Sequence, residues 1–276
     1  MKISIVTPSF NQAEYLGAAI ESVLGQGDPG VEHLVLDNCS TDGTVELLRR
    51  YPHLRWVSRP DRGQSDAVNQ GLALASGDLI GWLNADDRYL PECFRRVAET
   101  FARHPQADLV FGDYRWVDFR GEVLRRRREI DFDLFILKYL HVLYIPTAAT
   151  FVRRRVVKRG FYLDPSYHFA MDYEWYLRMA LAGVRFVHLP AYLADFRIHP
   201  ASKTSTSAQR QRAEQEQALL ALSPWLRQMP GGLRAAVRLS LMGAARAKRS
   251  CKKLAAGCYV EWPWRGPGKQ RSVTAD

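Results

Sequence analysis

The chain has 276 residues, enough for one large domain or two small ones, and its 47% hydrophobic and 25% charged residues are an ordinary globular balance. No run approaches the roughly 18 apolar residues of a membrane-spanning helix, and "MKISIVTPSF" lacks an apolar stretch of signal-peptide length, so a cytoplasmic protein is expected. The net charge of +10 is uneven: residues 1–205 hold 26 Lys or Arg against 25 Asp or Glu, and residues 206–276 hold 13 against 4. A near-neutral body with a basic tail argues against a nucleic-acid-binding protein. Cys39, Cys93, Cys251 and Cys258 form no C-x-x-C pair and have no zinc-site spacing.

In chain order, "KISIVTPSF" reads as a strand that breaks at Pro8. "AEYLGAAIESVLGQ" has the helical spacing Leu16, Ile20, Val23, Leu24. "VEHLVLDN" is a second strand, and "STDGTVELLRRY" a helix opening on a Ser/Thr/Asp cap signal. "LRWVSRP", "GQSDAVNQGLALA" and "DLIGWLN" continue as strand, helix, strand. This alternation predicts an α/β fold with a mainly parallel sheet flanked by helices, whose ligands bind beyond the carboxyl ends of the strands. Then come a helix in "PECFRRVAETFARHP", two strands turning near Arg120-Gly121, a strand and short helix in "ATFVRRRVVKRG", a helix in "MDYEWYLRMALAG", and strands in "VRFVHLPAYLADFRIHP". A polar linker, "ASKTSTSAQ", leads to a helical tail broken at Ser223-Pro224 and at Pro230-Gly231-Gly232. The expected organisation is a first half over 1–90, a second half of the same domain over 91–205, and a basic helical tail over 206–276.

In "GDLIGWLNADD", residues 77–87, a buried strand surfaces in Asn84, Asp86 and Asp87. Adjacent carboxylates on a rim repel unless something positive joins them. Mg²⁺ and Mn²⁺ prefer oxygen ligands and take one or two carboxylates beside substrate phosphates. The alternative is that these residues cap the helix beginning near Pro91.

"IVTPSFNQAEYL", "LVLDNCSTDGT" and "RPDRGQSDAVNQGLALASGDLIGWLNADD", followed by "PTAATFVRRRVVKRGFYLDPSYHFAMDYEWYLRMA" and "FRIHPASKT", together resemble the inverting nucleotide-sugar glycosyltransferases of family 2, which have the GT-A fold. The resemblance covers about residues 2–205 and implies that 1–90 is the nucleotide-sugar-binding half and 91–205 the acceptor and catalytic half of the same domain. It implies that Asn84, Ala85 and Asp86 stand at the D-x-D motif. Asp86 would then be the ligand of Mn²⁺ or Mg²⁺, and Asn84, where Asp is common, would meet the ribose at the cost of one negative charge. It implies that Asp37 reads the base, as an acceptor-only carboxylate suits the imide N–H of uracil or thymine, and that Thr7 and Pro8 form the first nucleotide loop. Asp66 at the start of the third helix is either a nucleotide neighbour or a helix cap. Asn69 and Gly71 serve helix packing.

Inversion needs one general base for the acceptor hydroxyl. The resemblance gives that role to Asp172, with Glu174 turned another way; the alternative for Asp172 is an N-cap. His199 would approach the metal or the diphosphate, with Arg197 and Lys203 nearby to neutralise phosphate. The run of Arg125 to Arg128 reads as a solvated hairpin, the alternative being an acceptor-phosphate site.

The implied activity is transfer of a sugar from a nucleotide-diphosphate donor, UDP favoured, to a hydroxyl of a glycan or lipid-linked acceptor, in cell-surface polysaccharide synthesis. The alternative is a degenerate transferase scaffold that binds carbohydrate or membrane. In the tail, a helix over 233–258 sets Leu233, Val237, Ala244, Cys251, Ala255 and Cys258 against Arg234, Arg238, Arg246, Arg249, Lys252 and Lys253. Such a helix over 232–258 either docks on an anionic membrane surface, on the inner face of the cell membrane, or packs on the body with its basic face solvated.

Overall fold

The computed structural model describes residues 1–28, 30–140, 143–199 and 207–258. Strands β1 (Ile3–Ser9), β2 (Glu32–Asp37), β3 (Arg55–Ser58) and β4 (Leu79–Trp82) alternate with helices α1 (Ala13–Leu24), α2 (Thr44–Leu48) and α3 (Gln64–Leu74). The second half adds β5 (Arg88–Tyr89), α4 (Cys93–Arg103), β6 (Leu109–Val117), β7 (Val123–Arg127), α5 (Leu134–Leu140), β8 (Thr150–Arg153), α6 (Arg154–Lys158), α7 (Met171–Leu181) and β9 (Phe186–Arg197). The tail forms α8 (Ala208–Ala221), α9 (Pro224–Arg227) and α10 (Gly231–Ala255).

All nine strands join one mixed sheet in the order β3-β2-β1-β4-β8-β6-β9-β5, with β7 beside β6. It is parallel from β3 to β4 and again between β6 and β9. The antiparallel strand β8 links the two parts by pairing with β4 and β6. The halves expected over 1–90 and 91–205 therefore share one sheet. β2 and β4 are buried along their whole length; β4 accordingly reads as an apolar run, while β2 carries Leu34, Val35 and Leu36 between the buried polar residues Glu32, His33 and Asp37. One core lies between the sheet and α3, α5 and α7; another faces α1 and α4.

Two local expectations change. β1 does not break at Pro8 but runs to Ser9, pairing with β2 to the end. Its pairing with β4 stops at Val6, so Pro8 lies where β1 has a neighbour on one side only, a position that tolerates the missing N–H. α2 starts at Thr44, after Ser40, Thr41 and Asp42, with Gly43 at its N-cap. Asp42 serves both helix starts: its Oδ1 accepts from the amide and hydroxyl of Thr44 at 3.1 and 2.6 Å, and its Oδ2 accepts from the amide of Ala13 at 2.9 Å. Gly71 packs α3 on β1 as expected: a Cβ there would sit 2.2 Å from Val6 Cγ1. Asn69 ties α3 to Leu163 through two backbone hydrogen bonds, of 2.8 and 2.9 Å.

The tail packs on the body, and it does so through its basic face. Lys248 and Lys252 reach Asp133 at 2.7 and 3.0 Å. Arg249 and Lys253 reach Glu129 at 2.7 and 3.5 Å, and Arg238 pairs with Glu216 of α8. Outward on α10 stand Leu233, Leu239 and Leu254, all more than half exposed. The arginine run is likewise engaged: Arg127 covers the ring of Trp116 and pairs with Glu129, and Arg128 donates to the carbonyl of Gly257. No helix among the described residues is long and apolar enough to cross a membrane.

Candidate active site

A cleft of about 480 Å³ opens at the carboxyl ends of β1, β2 and β4. Pro8, Asn38, Asp61 and Asn84 line one part of it, and His168, Asp172 and Gln211 another. This is the rim expected for a ligand in an open α/β sheet.

The Asn84–Asp87 segment is organised around one buried carboxylate. Asn84 Oδ1 accepts from Trp82 Nε1 and from Gln64 Nε2, both at 2.9 Å. An indole N–H can only donate, so the amide orientation of Asn84 is fixed, and its Nδ2 points to Asp87 Oδ2 at 3.1 Å. Both Oδ1 lone pairs are then used, and one N–H of Asn84 remains for a ligand. Asp87 is 2% exposed and its other oxygen accepts from the amide of Arg197 at 2.9 Å. Burial, and after it the charge of Asp86, pushes the Asp87 carboxyl well above the usual carboxylate range. Asp87 thus faces inward as a clasp between β4 and β9, while Asp86 lines the cleft.

Asp86 Oδ2 lies 3.0 Å from His199 Nε2. The imidazole is 7% exposed and packs against Tyr15 at 5.0 Å between ring centroids. The guanidinium of Arg197 donates to the carbonyls of Asp86, Asp118 and Phe119 at 2.8–3.0 Å and lies over Tyr15. Arg197 therefore braces the Asp86 loop, a role that phosphate neutralisation alone did not anticipate. Lys203 lies outside the described residues. Among the described residues no group of three or more His, Cys, Asp or Glu is arranged to hold a metal. One carboxylate oxygen and one imidazole nitrogen converging on a cleft nevertheless fit a cation that draws its other ligands from substrate phosphates and water. Asp86 and His199 are the residues that would hold it.

The nucleotide positions are placed unevenly. Pro8 and Ala85 line the cleft. Thr7 does not: it is fully buried, and its hydroxyl meets His33 Nε2 at 2.9 Å. Asp37 is 2% exposed, and Ser40 and Ser58 donate to its carboxylate at 2.5–3.1 Å. The residues that reach the cleft beside it are Asn38, at the end of β2 where the strand-end rule expects a ligand, and Asp61, which the sequence did not single out. Asn38 Oδ1 accepts from the amide of Asp61 at 2.9 Å. Burial, and then the charges of Asp66 and Asp37, raise the pKa of Asp61. Asp66 stands in the first turn of α3 with its carboxylate on Arg62 at 2.9 Å, a hydrogen bond that holds its pKa below the usual value. It does not line the cleft, whereas Gln64 does.

Asp172 lies in the first turn of α7 and lines the cleft. It is not an N-cap: Ala170 holds that position, and no side chain caps the helix from there. Glu174 is 4% exposed and is held by Arg178 at 2.7 and 3.0 Å, so Asp172 is the acid of this turn that faces the cleft. Tyr173 and Trp175 are packed in the core. Gln211 reaches the cleft from α8, inside what composition alone marked as tail.

The family model of glycosyl transferase family 2 matches residues 4–161. An uncharacterized glycosyltransferase of Nostoc is 28% identical over 177 residues, 60% of this chain and 55% of its own length. One from Mycobacterium tuberculosis is 34% identical over 186 residues, 65% of this chain and 69% of its own length. A putative teichuronic acid biosynthesis glycosyltransferase of Bacillus subtilis is 33% identical over 103 residues, 35% of this chain and 40% of its own length. The matched part thus spans from two fifths to about two thirds of these relatives. Among solved structures, S. aureus TarS 1–349 in complex with UDP-GlcNAc aligns with a TM-score of 0.67 and 16% identity, covering 94% of this chain and 77% of that one. A Pyrobaculum calidifontis mannosyltransferase in complex with GDP-Man and Mn²⁺ gives 0.63 and 19%, covering 95% and 76%. The fold is the GT-A fold of such transferases, and the chain belongs to glycosyl transferase family 2.

Proposed function

We propose that the protein transfers a sugar from a nucleotide-diphosphate donor to an acceptor hydroxyl with inversion, and that Asp172 is the base. The observation that carries this reading is the shared cleft: the Asp86–His199 pair and Asp172 line the same cavity, the pair at the ends of β4 and β9 and the acid on α7. Asp172 would take the acceptor hydroxyl's proton as its oxygen attacks the anomeric carbon. A single displacement needs no second carboxylate as nucleophile, and Glu174 is committed to Arg178. Asp86 Oδ2 and His199 Nε2 would hold Mn²⁺ or Mg²⁺, whose chemistry there is stabilisation of charge on the leaving diphosphate. The remaining N–H of Asn84 would donate to a ribose hydroxyl.

A UDP-sugar is the favoured donor. Asp61 lines the cleft as an acceptor, which suits an imide N–H, while the buried Asp37 stands behind Asn38 with its carboxylate held by Ser40 and Ser58, and TarS has been solved with UDP-GlcNAc. The acceptor is read as the hydroxyl of a glycan or lipid-linked saccharide in surface polysaccharide synthesis, in line with the name of the B. subtilis relative. Membrane docking would have to use the outward face of α10, where Leu239, Leu254 and Arg246 are exposed.

A thermal-shift panel of UDP, GDP, TDP and CMP, each with and without Mn²⁺, tests the reading. A ligand of the native state at 100 times its Kd adds about 2.7 kcal/mol. The expected result is a rise in Tm with UDP, larger with Mn²⁺ and lost in Asp86→Ala. No rise with any nucleotide would remove the donor site.

A further inference from the structure

The loop that delivers Asp172 into the cleft is held by a side chain from the tail. Glu214, on α8, accepts hydrogen bonds from three successive backbone amides: those of His168 at 2.9 and 3.1 Å, Phe169 at 2.7 Å and Ala170 at 2.8 Å. Successive N–H groups converging in this way form an anion-binding nest, and here the anion is part of the chain. The nest opens directly into α7, whose N-terminus also favours negative charge. Asp172 follows Ala170 by two residues.

The same face of α8 makes two further contacts with this region. Gln211, one turn before Glu214, lines the cleft, and Arg210 lies over the ring of Phe169 at 5.7 Å. α8 is itself anchored, because Ala218 and Leu219 are buried in the main core. Four residues of the clasped segment, His168, Phe169, Met171 and Asp172, line the cleft. A loop with no regular ladder of its own would otherwise leave these amides to water. A carboxylate with three charge-assisted hydrogen bonds fixes both where the loop sits and where α7 begins.

We propose that Glu214 is a positioning residue for the catalytic base: by clasping amides 168–170 it sets the place and orientation of Asp172, so that α8 belongs to the catalytic centre. This deepens the preceding reading and rests on it for the role of Asp172. The effect should appear in turnover and leave nucleotide binding alone, because Pro8, Asn38, Asp61 and Asn84 belong to other elements.

The test uses the full chain as wild type, Glu214→Gln and Glu214→Ala. Three quantities are measured: hydrogen exchange of amides 168–170, UDP affinity with Mn²⁺, and kcat and KM for hydrolysis of a UDP-sugar with water as acceptor. Loss of a hydrogen bond to a charged group should speed exchange of these amides by about tenfold or more. A displaced base should lower kcat by roughly 10- to 100-fold, with UDP affinity and donor KM within about twofold and Glu214→Gln intermediate. Faster exchange with unchanged kcat would overturn the proposal. So would unchanged exchange in both variants, or a parallel fall of kcat, UDP affinity and Tm, which marks general destabilisation. A wild type that binds no nucleotide and hydrolyses no donor would overturn the underlying reading instead, and the exchange data would still judge the clasp.

Discussion

Asn84→Asp places at the first motif position the carboxylate that family 2 transferases commonly carry there, and it should destabilise this protein. In the native structure Asn84 Nδ2 donates to Asp87 Oδ2 at 3.1 Å, a bond to a charged group worth about 1.5–3 kcal/mol. In the variant two carboxylate oxygens face each other at that distance, and Asp86 adds to the repulsion. Unit charges 4 Å apart at an effective dielectric constant of 20 interact by about 4 kcal/mol. The pair can relieve part of this by retaining a proton, so a net loss of roughly 3 kcal/mol at pH 7.5 is expected. At about 2–4 °C per kcal/mol that lowers Tm by roughly 6–12 °C. The sign with pH follows from the direction of the shift. Folded-state pKa values rise above the unfolded value of about 3.9, so the folded variant binds more protons than the unfolded chain, and stability falls as pH rises from about 4. Asp87 of the wild type is shifted the same way by burial and by Asp86, and the variant should show a steeper fall. Melting curves at pH 5.0 and 7.5, with Asn84→Ala as the uncharged control, measure it. A variant within 1 °C of wild type at pH 7.5, or one that loses more at pH 5.0, would refute the reasoning.

Asp172→Asn keeps the size of the side chain but cannot accept the proton, so kcat should fall about 10²–10⁴-fold with UDP affinity unchanged; steady-state kinetics and calorimetry separate the two. His199→Ala should abolish most of the Mn²⁺-dependent gain in UDP affinity while leaving metal-free UDP binding within about threefold, read by titration calorimetry. Glu129→Ala removes a fully buried carboxylate that pairs with Arg127, Arg249 and Lys253. It should cost about 3 kcal/mol and make α10 the first segment cut in limited proteolysis.

The first half of the fold was readable because β1, β2 and β4 are buried on both faces and its helices keep one apolar face, as Leu16, Ile20 and Val23 of α1 do. β5 was not, since two residues carry no period, and α5 was not, since Ile136, Leu137, Tyr139 and Leu140 are all buried. Asp86, His199 and Asp172 fell on the cleft because each sits at the end of a recognisable element. Thr7 and Asp37 turn inward for reasons found far along the chain, in His33 and Ser58. Asp87 looked like a partner of Asp86, and only burial against Asn84 and Arg197 distinguishes the two. The tail was misread for a similar cause: its basic face is matched by Glu129 and Asp133, more than a hundred residues earlier, so composition suggested an outward face where the structure has an inward one. Asn38 carried a local signal, as the polar residue immediately after β2, and Asp61 a weaker one, three residues beyond the end of β3. Glu214 carried none.

The most direct test of the central claim is the configuration of the sugar first released when the protein hydrolyses an α-linked UDP-sugar, followed by proton NMR before mutarotation. A single displacement with Asp172 as base predicts the β anomer. Initial release of the α anomer, or β release undiminished in Asp172→Asn, would contradict the account.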